Sequence, residues 1–354
     1  MPLLGLLMLL GCAPAINTIN EITGRSQRVA PTIYRLPEPG APADSPPPWS
    51  DLNLQGRLIL IRHNPDGNRL IEVDLGTGNT KLLFQAPERS LLADADVSPD
   101  GARIILAYSP PPVDNEMQLG YTQLYLMPSD GSGQPEPFLT GAYADEAFYH
   151  PVWSPDGQHV YYTHLYRREG DKAATHYRIE RTRLSGESEV VVGAASWPSI
   201  SSDGSRLAYL TLDPQTSVNE LYMTDLVRGP GAPVITAEDL PTVDAHLFSP
   251  DGRAIYFSAV NKDISGASWF EKIDGVAVAY AHNVPSDWYR VAVQDGEVER
   301  LTHIGGTGLV GDFSPDGKYF AFYSEGGLFL MKPDGSEIRA LANAVLVGSL
   351  NWLP

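Results

Sequence analysis

Pro151-Val152-Trp153-Ser154-Pro155-Asp156-Gly157 is the stretch on which the reading of this chain turns, because near copies of it recur. They are Asp96-Val97-Ser98-Pro99-Asp100-Gly101, Leu247-Phe248-Ser249-Pro250-Asp251-Gly252 and Asp312-Phe313-Ser314-Pro315-Asp316-Gly317. A further copy, Ser199-Ile200-Ser201-Ser202-Asp203-Gly204, lacks the proline. Proline presets φ for a turn, aspartate bonds nearby backbone N–H groups, and glycine supplies a positive φ. Each copy leads into a strand-like run such as His159-Val160-Tyr161-Tyr162-Thr163. The residue before each serine (Trp153, Phe248, Phe313, Val97, Ile200) is expected to pack between neighbouring units, so the motif reads as structural.

Ser98, Ser154, Ser201, Ser249 and Ser314 lie 56, 47, 48 and 65 residues apart. From about residue 51 every unit offers four strand candidates, and no segment carries a sustained helical stripe. Such periods mark radial repeats, in which a four-stranded sheet buries its faces only against its neighbours. The first unit lacks an inner strand, since Gln55-Gly56-Arg57-Leu58 aligns with the second strand of the other units, just after their turns. Ser349-Leu350-Asn351-Trp352-Leu353-Pro354 aligns with the strand before a turn, with Trp352 in the place of Trp153. The expectation is an all-β, six-bladed β-propeller over residues 51–354. Its ring is closed by the C-terminal strand completing the first blade, which removes free edges.

These turns, with runs such as Gln123-Leu124-Tyr125-Leu126-Met127 and Arg300-Leu301-Thr302, resemble the repeat of the TolB-like propeller family, a relative of the WD-type repeat. The resemblance spans about residues 51 to 354. It implies the propeller fold and, as one context, protein assembly in the cell envelope. The separate N-terminal α/β domain of TolB is not expected in this chain. The family includes scaffolds and enzymes, so the fold does not name an activity.

Net charge is −18, from 25 Lys and Arg against 43 Asp and Glu. That balance opposes nucleic acid and anionic lipid as partners, because both require neutralising Lys and Arg. A cationic group, a metal ion or a neutral peptide or glycan suits the field better. Cys12 is the single cysteine, which excludes an intrachain disulfide. The apolar run at 3–10 falls short of the roughly 20 residues that span a bilayer and suits the apolar core of a secretory signal. Leu9-Leu10-Gly11-Cys12 resembles a bacterial lipobox, although no Lys or Arg precedes the run and Leu10 is bulky for its place. Residues 1–11 are therefore read as a signal peptide, and 12–50 as a lipidated Cys12 followed by a Pro-rich tether. The expected location is the periplasm or outer cell surface, with a monomer held at the membrane only through lipid.

The Ser-Pro-Asp-Gly turns occupy one end of the ring, so function is expected at the other. The loops before the inner strands are expected to bring Asp94, Asp96, Asp145, Glu146, His150, Asp244, His246 and Asp312 to the channel mouth there. Convergent carboxylates could hold a divalent cation such as calcium or magnesium, and His150 with His246 would shift the choice towards manganese or zinc. The competing reading makes them solvated residues at strand starts, since no fixed ligand spacing is present.

Long loops at 109–114 and 167–172, and an insertion at 259–287 with Trp269, Phe270, Tyr280 and His282, are expected to cap the mouth or face a partner. No nucleophile elbow, phosphate-binding glycine loop, Cys-x-x-Cys pair or His-Glu-x-x-His pattern appears. Propellers of this repeat type often precede a peptidase domain, but the chain ends as the ring closes, so serine-peptidase activity is not expected. The preferred reading is a non-catalytic binding scaffold of the envelope, with a protein, peptide or glycan partner. The alternative is a metal-dependent polysaccharide lyase or hydrolase using His150 and His246.

Overall fold

A computed structural model describes residues 34–354, apart from 42, 44, 113–120, 144–145, 169–170, 213–217, 228 and 261–283. The Ser-x-Asp-Gly turn is built alike in all five copies. In the first, Ser98 Oγ donates to Asp100 Oδ1 and accepts the Arg103 N–H at 2.9 Å, while Asp100 Oδ1 also accepts the Ala102 N–H at 3.0 Å. The proline-less copy keeps every bond: Ser201 Oγ to Asp203 at 2.6 Å, Arg206 N to Ser201 Oγ at 3.0 Å, and Ser205 N to Asp203 at 3.0 Å. Its Gly204 has φ +71, in the region that a side chain disfavours.

Each turn joins the inner and second strands of a four-stranded antiparallel sheet, and there are six such sheets. The inner strands of blades 2 to 6 are Leu91–Val97, Ala147–Trp153, Ser196–Ile200, Val243–Phe248 and Val310–Phe313. Blade 1 takes its inner strand, Leu346–Leu353, from the end of the chain; it pairs with Arg57–Arg62 in the register Leu58↔Trp352. Each inner strand touches the next in a closed cycle, so the ring is complete. The six blades and their closure are as the sequence predicts.

The second strands, Arg57–Arg62 and Arg103–Ser109 among them, are apolar along nearly their whole length and buried on both faces. A blade is thereby sandwiched between its neighbours. Each fully buried Leu, Ile or Phe contributes roughly 1.5–3 kcal/mol, and without adjacent blades that surface would face water.

Residues 34–49, expected to belong to a free tether, lie on the propeller body instead. Leu36 and Trp49 are buried among side chains of blades 1 and 6. The Trp49 Nε1–H donates to Leu75 O at 2.7 Å, and the Asn343 N–H donates to Tyr34 O at 2.8 Å. The physical reason is apolar: three large side chains, Tyr34, Leu36 and Trp49, flank the prolines and find the seam where the first and last blades meet. Among the described residues a single 3-10 turn, Ser50–Leu52, interrupts the all-β pattern, and no described helix is long and apolar enough to cross a membrane.

Candidate functional site

Asp94, Asp96, His150, Asp244, His246 and Asp312 sit within the inner strands and not in the loops before them. Asp94, Asp96, His150, His246 and Asp312 line a recess of about 180 Å³ in the central channel. Asp244 is buried in its strand outside the lining, and Glu146 lies in the turn that leads into blade 3. The Glu146 Oε2 accepts the N–H groups of Ala142 and Tyr143 at 2.7 and 3.3 Å. Its Oε1 is 3.6 Å from His164 Nε2. Asp145, Trp269, Phe270 and Cys12 lie outside the described residues, as does the insertion from 261 to 283. The expected loop at 167–172 belongs to a long hairpin, His159–Arg168 paired with Asp171–Arg183.

Two of the channel carboxyls are engaged between blades. Asp96 Oδ2 accepts the Trp153 N–H at 2.7 Å, and Asp312 Oδ2 accepts the Trp352 N–H at 2.8 Å. Each thus links an inner strand to that of the next blade. Burial pushes both carboxyls up to about 7, and the charge of Asp312 adds to the effect on Asp96. Of the two readings made from sequence, the strand-bonded one describes Asp96 and Asp312, with the difference that they are partly buried in the channel wall.

The chemistry concentrates around Trp197, which sequence reasoning passed over. Its ring stacks on His150 with centroids 4.3 Å apart and planes 5° from parallel, and it stands 6.2 Å from His246. Both His150 and Trp197 have left-handed backbone, φ 49 and 54, at bulges where the pairing of their strands shifts. Thr163 Oγ1 accepts the Trp197 N–H at 2.8 Å and lies 3.4 Å from His150 Nδ1. Non-glycine residues in this region cost about 1–3 kcal/mol and persist where the surroundings hold them. The signal was in the sequence: His150-Pro151 and Trp197-Pro198 occupy the same place, four residues before the turn serine.

His246 is nearly enclosed, and burial pushes its imidazole down to about 4, so it is neutral at physiological pH. Carbonyls of Asp244 and Ala208 flank the ring, with Nδ1 3.4 Å from Asp244 O. His150 and His246 both approach the same indole, the first stacked and the second tilted. Among the described residues no group of three or more His, Cys, Asp or Glu is placed to hold a metal. His150 and His246 by themselves supply fewer donors than the three protein ligands of a catalytic zinc site.

Sequence reasoning also missed a buried network in blade 3. Glu180 accepts from Tyr162 OH at 2.8 Å, forms an ion pair with Arg178, whose Nε stands 2.5 Å from its Oε1, and lies 3.1 Å from His164 Nδ1. Burial raises the Glu180 carboxyl, but these partners outweigh it and hold it below the usual range. The larger concavity, about 850 Å³, is an open groove at the turn end between blades 5 and 6, lined by Pro250, Tyr256, Arg290, Glu299 and Pro333. Its arginines are paired, Arg290 with Glu299 and Arg253 with Asp251.

No protein-family model matches the chain. Among solved structures it is similar to TolB from Acinetobacter baumannii, 15% identical with TM-score 0.57 over 83% of this chain and 67% of that one. A TolB structure from Agrobacterium tumefaciens is 20% identical, with TM-score 0.54 over 85% of this chain and all of that one. A puromycin hydrolase is 13% identical, with TM-score 0.53 over 81% of this chain but 45% of that one. Among curated proteins, dipeptidyl-peptidase 5 of Porphyromonas gingivalis is 25% identical over 182 residues, 42% of this chain. The chain spans about a quarter of that relative, 26% of its length. The fold is therefore the TolB-like six-bladed propeller, and part of the puromycin hydrolase shares it.

Proposed function

We propose that this propeller is an exported, non-catalytic binding scaffold of the cell envelope, which receives a protein, peptide or glycan partner at the channel mouth. The observation that carries the reading is the state of the channel groups. Asp96 and Asp312 are engaged with backbone N–H groups of the next blade, and His150 is stacked on Trp197. Acid–base catalysis needs a group within reach of a substrate proton and free to move its own; these groups hold blades together or form an aromatic surface. The TolB-like fold supports the envelope context, and the lipobox-like Cys12 would supply the anchor.

Photo-cross-linkers at Tyr143, which is 71% exposed near the mouth, and at Val190 on an outer strand, 54% exposed, test the reading in intact cells. A partner adduct from position 143 and none from 190 is expected. Equal adducts from both positions would overturn docking at the mouth. Replacing Cys12 with serine should move the protein out of the membrane fraction.

A second reading rests on the dipeptidyl-peptidase and puromycin hydrolase likenesses, in which the propeller accompanies a peptidase. It reopens the activity that the sequence alone led us not to expect. Release of p-nitroaniline from dipeptide anilides by the purified chain would favour it over the scaffold.

A further inference from the structure

Resting on the channel as the binding site, we infer that its recess takes a single primary ammonium group, carried on a lysyl side chain or on the α-amino end of a partner polypeptide. The lining has three carboxyl side chains, Asp94, Asp96 and Asp312, and neither Lys nor Arg. In a partly desolvated recess a one-signed lining selects its counter-charge more strongly than it would in water.

Asp94 is the carboxylate with capacity to spare. Its Oδ2 accepts the His150 N–H at a long 3.3 Å, and among the described residues no donor meets its Oδ1. Trp197 lines the recess with one face of its indole covered by His150, and the other face of an indole is the best aromatic surface for a cation. His246 supplies a neutral acceptor. Its Nδ1 lies 3.4 Å from the carbonyl of Asp244, which can only accept; with the ring proton on Nδ1, Nε2 keeps its lone pair. That Nε2 makes no hydrogen bond, although the residue is only 5% exposed. An ammonium has three N–H donors on a compact head; a carboxylate, an indole face and an imidazole lone pair are complementary to it.

Size agrees. A recess of about 180 Å³ holds the equivalent of roughly six waters. That suits the end of a slim aliphatic stem and is small for a sugar chain. A divalent metal is a poorer fit, because Asp96 and Asp312 already spend oxygens on backbone N–H groups.

The test uses the whole chain and three probes: Nα-acetyl-lysine methylamide, glycylglycine amide and doubly acetylated lysine methylamide. Binding is followed by indole fluorescence and by saturation-transfer NMR. At least one amine probe should bind saturably, and the acetylated control at least about 10-fold more weakly. Preference for the first probe assigns the lysyl side chain, and preference for the second assigns the chain terminus. Asp94→Asn should weaken amine binding by about 10-fold with the thermal midpoint unchanged. Equal binding of amine and acetylated probes overturns the inference, as does no binding at about 10 mM or an unaffected Asp94→Asn. Comparison of probes on the unaltered protein needs no variant to fold. Amine probes that fail while cross-links still form at position 143 would remove this inference and leave the scaffold reading standing.

Discussion

The backbone N–H of Trp352 donates to the Oδ2 of Asp312 at 2.8 Å, tying the last strand of the chain to the blade before it. Trp153 and Asp96 make the same bond between blades 2 and 3. Between blades 1 and 2 the position belongs to Asn351, whose Oδ1 accepts the Val97 N–H at 3.3 Å while its Nδ2 donates to Ala95 O at 3.0 Å. Three consecutive interfaces, including the closing one, thus carry a polar latch, two residues before the turn serine in Asp96 and Asp312 and at the equivalent strand position in Asn351. The other three blades have Val152, Ser199 and Leu247 at that place.

Asp312→Ala would leave the Trp352 and Phe313 N–H groups without their acceptors in a buried place. An unsatisfied buried donor costs about 1–3 kcal/mol, so urea unfolding should show a loss of that order. Asp312→Asn keeps an acceptor oxygen and should lose less. Equal loss in both variants would mean that the charge matters more than the acceptor.

The channel groups give stability a pH dependence of mixed sign. Asp96 and Asp312 rise from 3.8 unfolded to about 7 folded, so their contribution is full below the unfolded value and is lost as pH climbs through 7. His246 falls from 6.5 to about 4, so its contribution is full above 6.5 and is lost as pH drops through 4. Two carboxyls outweigh one imidazole in the overlap. The Asp96→Asn/Asp312→Asn double variant should therefore lose less stability than the parent between about pH 5 and pH 8, measured by urea midpoints. An unchanged difference would show that the two carboxyls do not set the slope.

The ring was legible because the turn carries its own code. Serine bridges Asp and the start of the second strand, and even the copy without proline keeps all of those bonds. The equivalence of Trp352 with Trp153 was legible too, since both precede a turn and both give their N–H to the preceding blade. The role of the channel carboxyls was less so. Sequence places Asp96 and Asp312 at the axis but does not tell that a neighbouring backbone has claimed them. Trp197 was overlooked for a different reason. A tryptophan in an apolar strand reads as core, and the bulge that turns it into the channel leaves no mark beyond the proline after it.

The seam of the ring carries a second closure. Trp49 is fully buried and bonded to Leu75 O, with the ring of Tyr34 edge-on at 5.5 Å. Trp49→Ala should cost about 3–5 kcal/mol, the usual range for deleting a buried tryptophan, read as a drop in the midpoint of thermal or urea unfolding. Beginning the chain at residue 51 should cost at least as much. A truncated protein of unchanged midpoint would return residues 34–49 to the role of a tether.

The left-handed backbone of Trp197 yields a reversal of the ordinary ranking. In a strand, glycine is usually worse than alanine, because it loses more freedom on folding and packs nothing. At φ 54 an alanine pays the clash between Cβ and carbonyl that glycine lacks, roughly 1–2 kcal/mol. Both Trp197→Ala and Trp197→Gly remove the indole from His150 and His246, so the lost packing is common to the pair. The difference between them isolates the backbone. Trp197→Gly should be as stable as Trp197→Ala or more so in urea unfolding, and the same order should hold for His150→Gly against His150→Ala, since φ there is 49. An alanine variant more stable than glycine by about 1 kcal/mol, the normal strand difference, would show that the bulge relaxes once the indole is gone. Ring stacking, and not the chain around it, would then be what holds these two residues in the left-handed region.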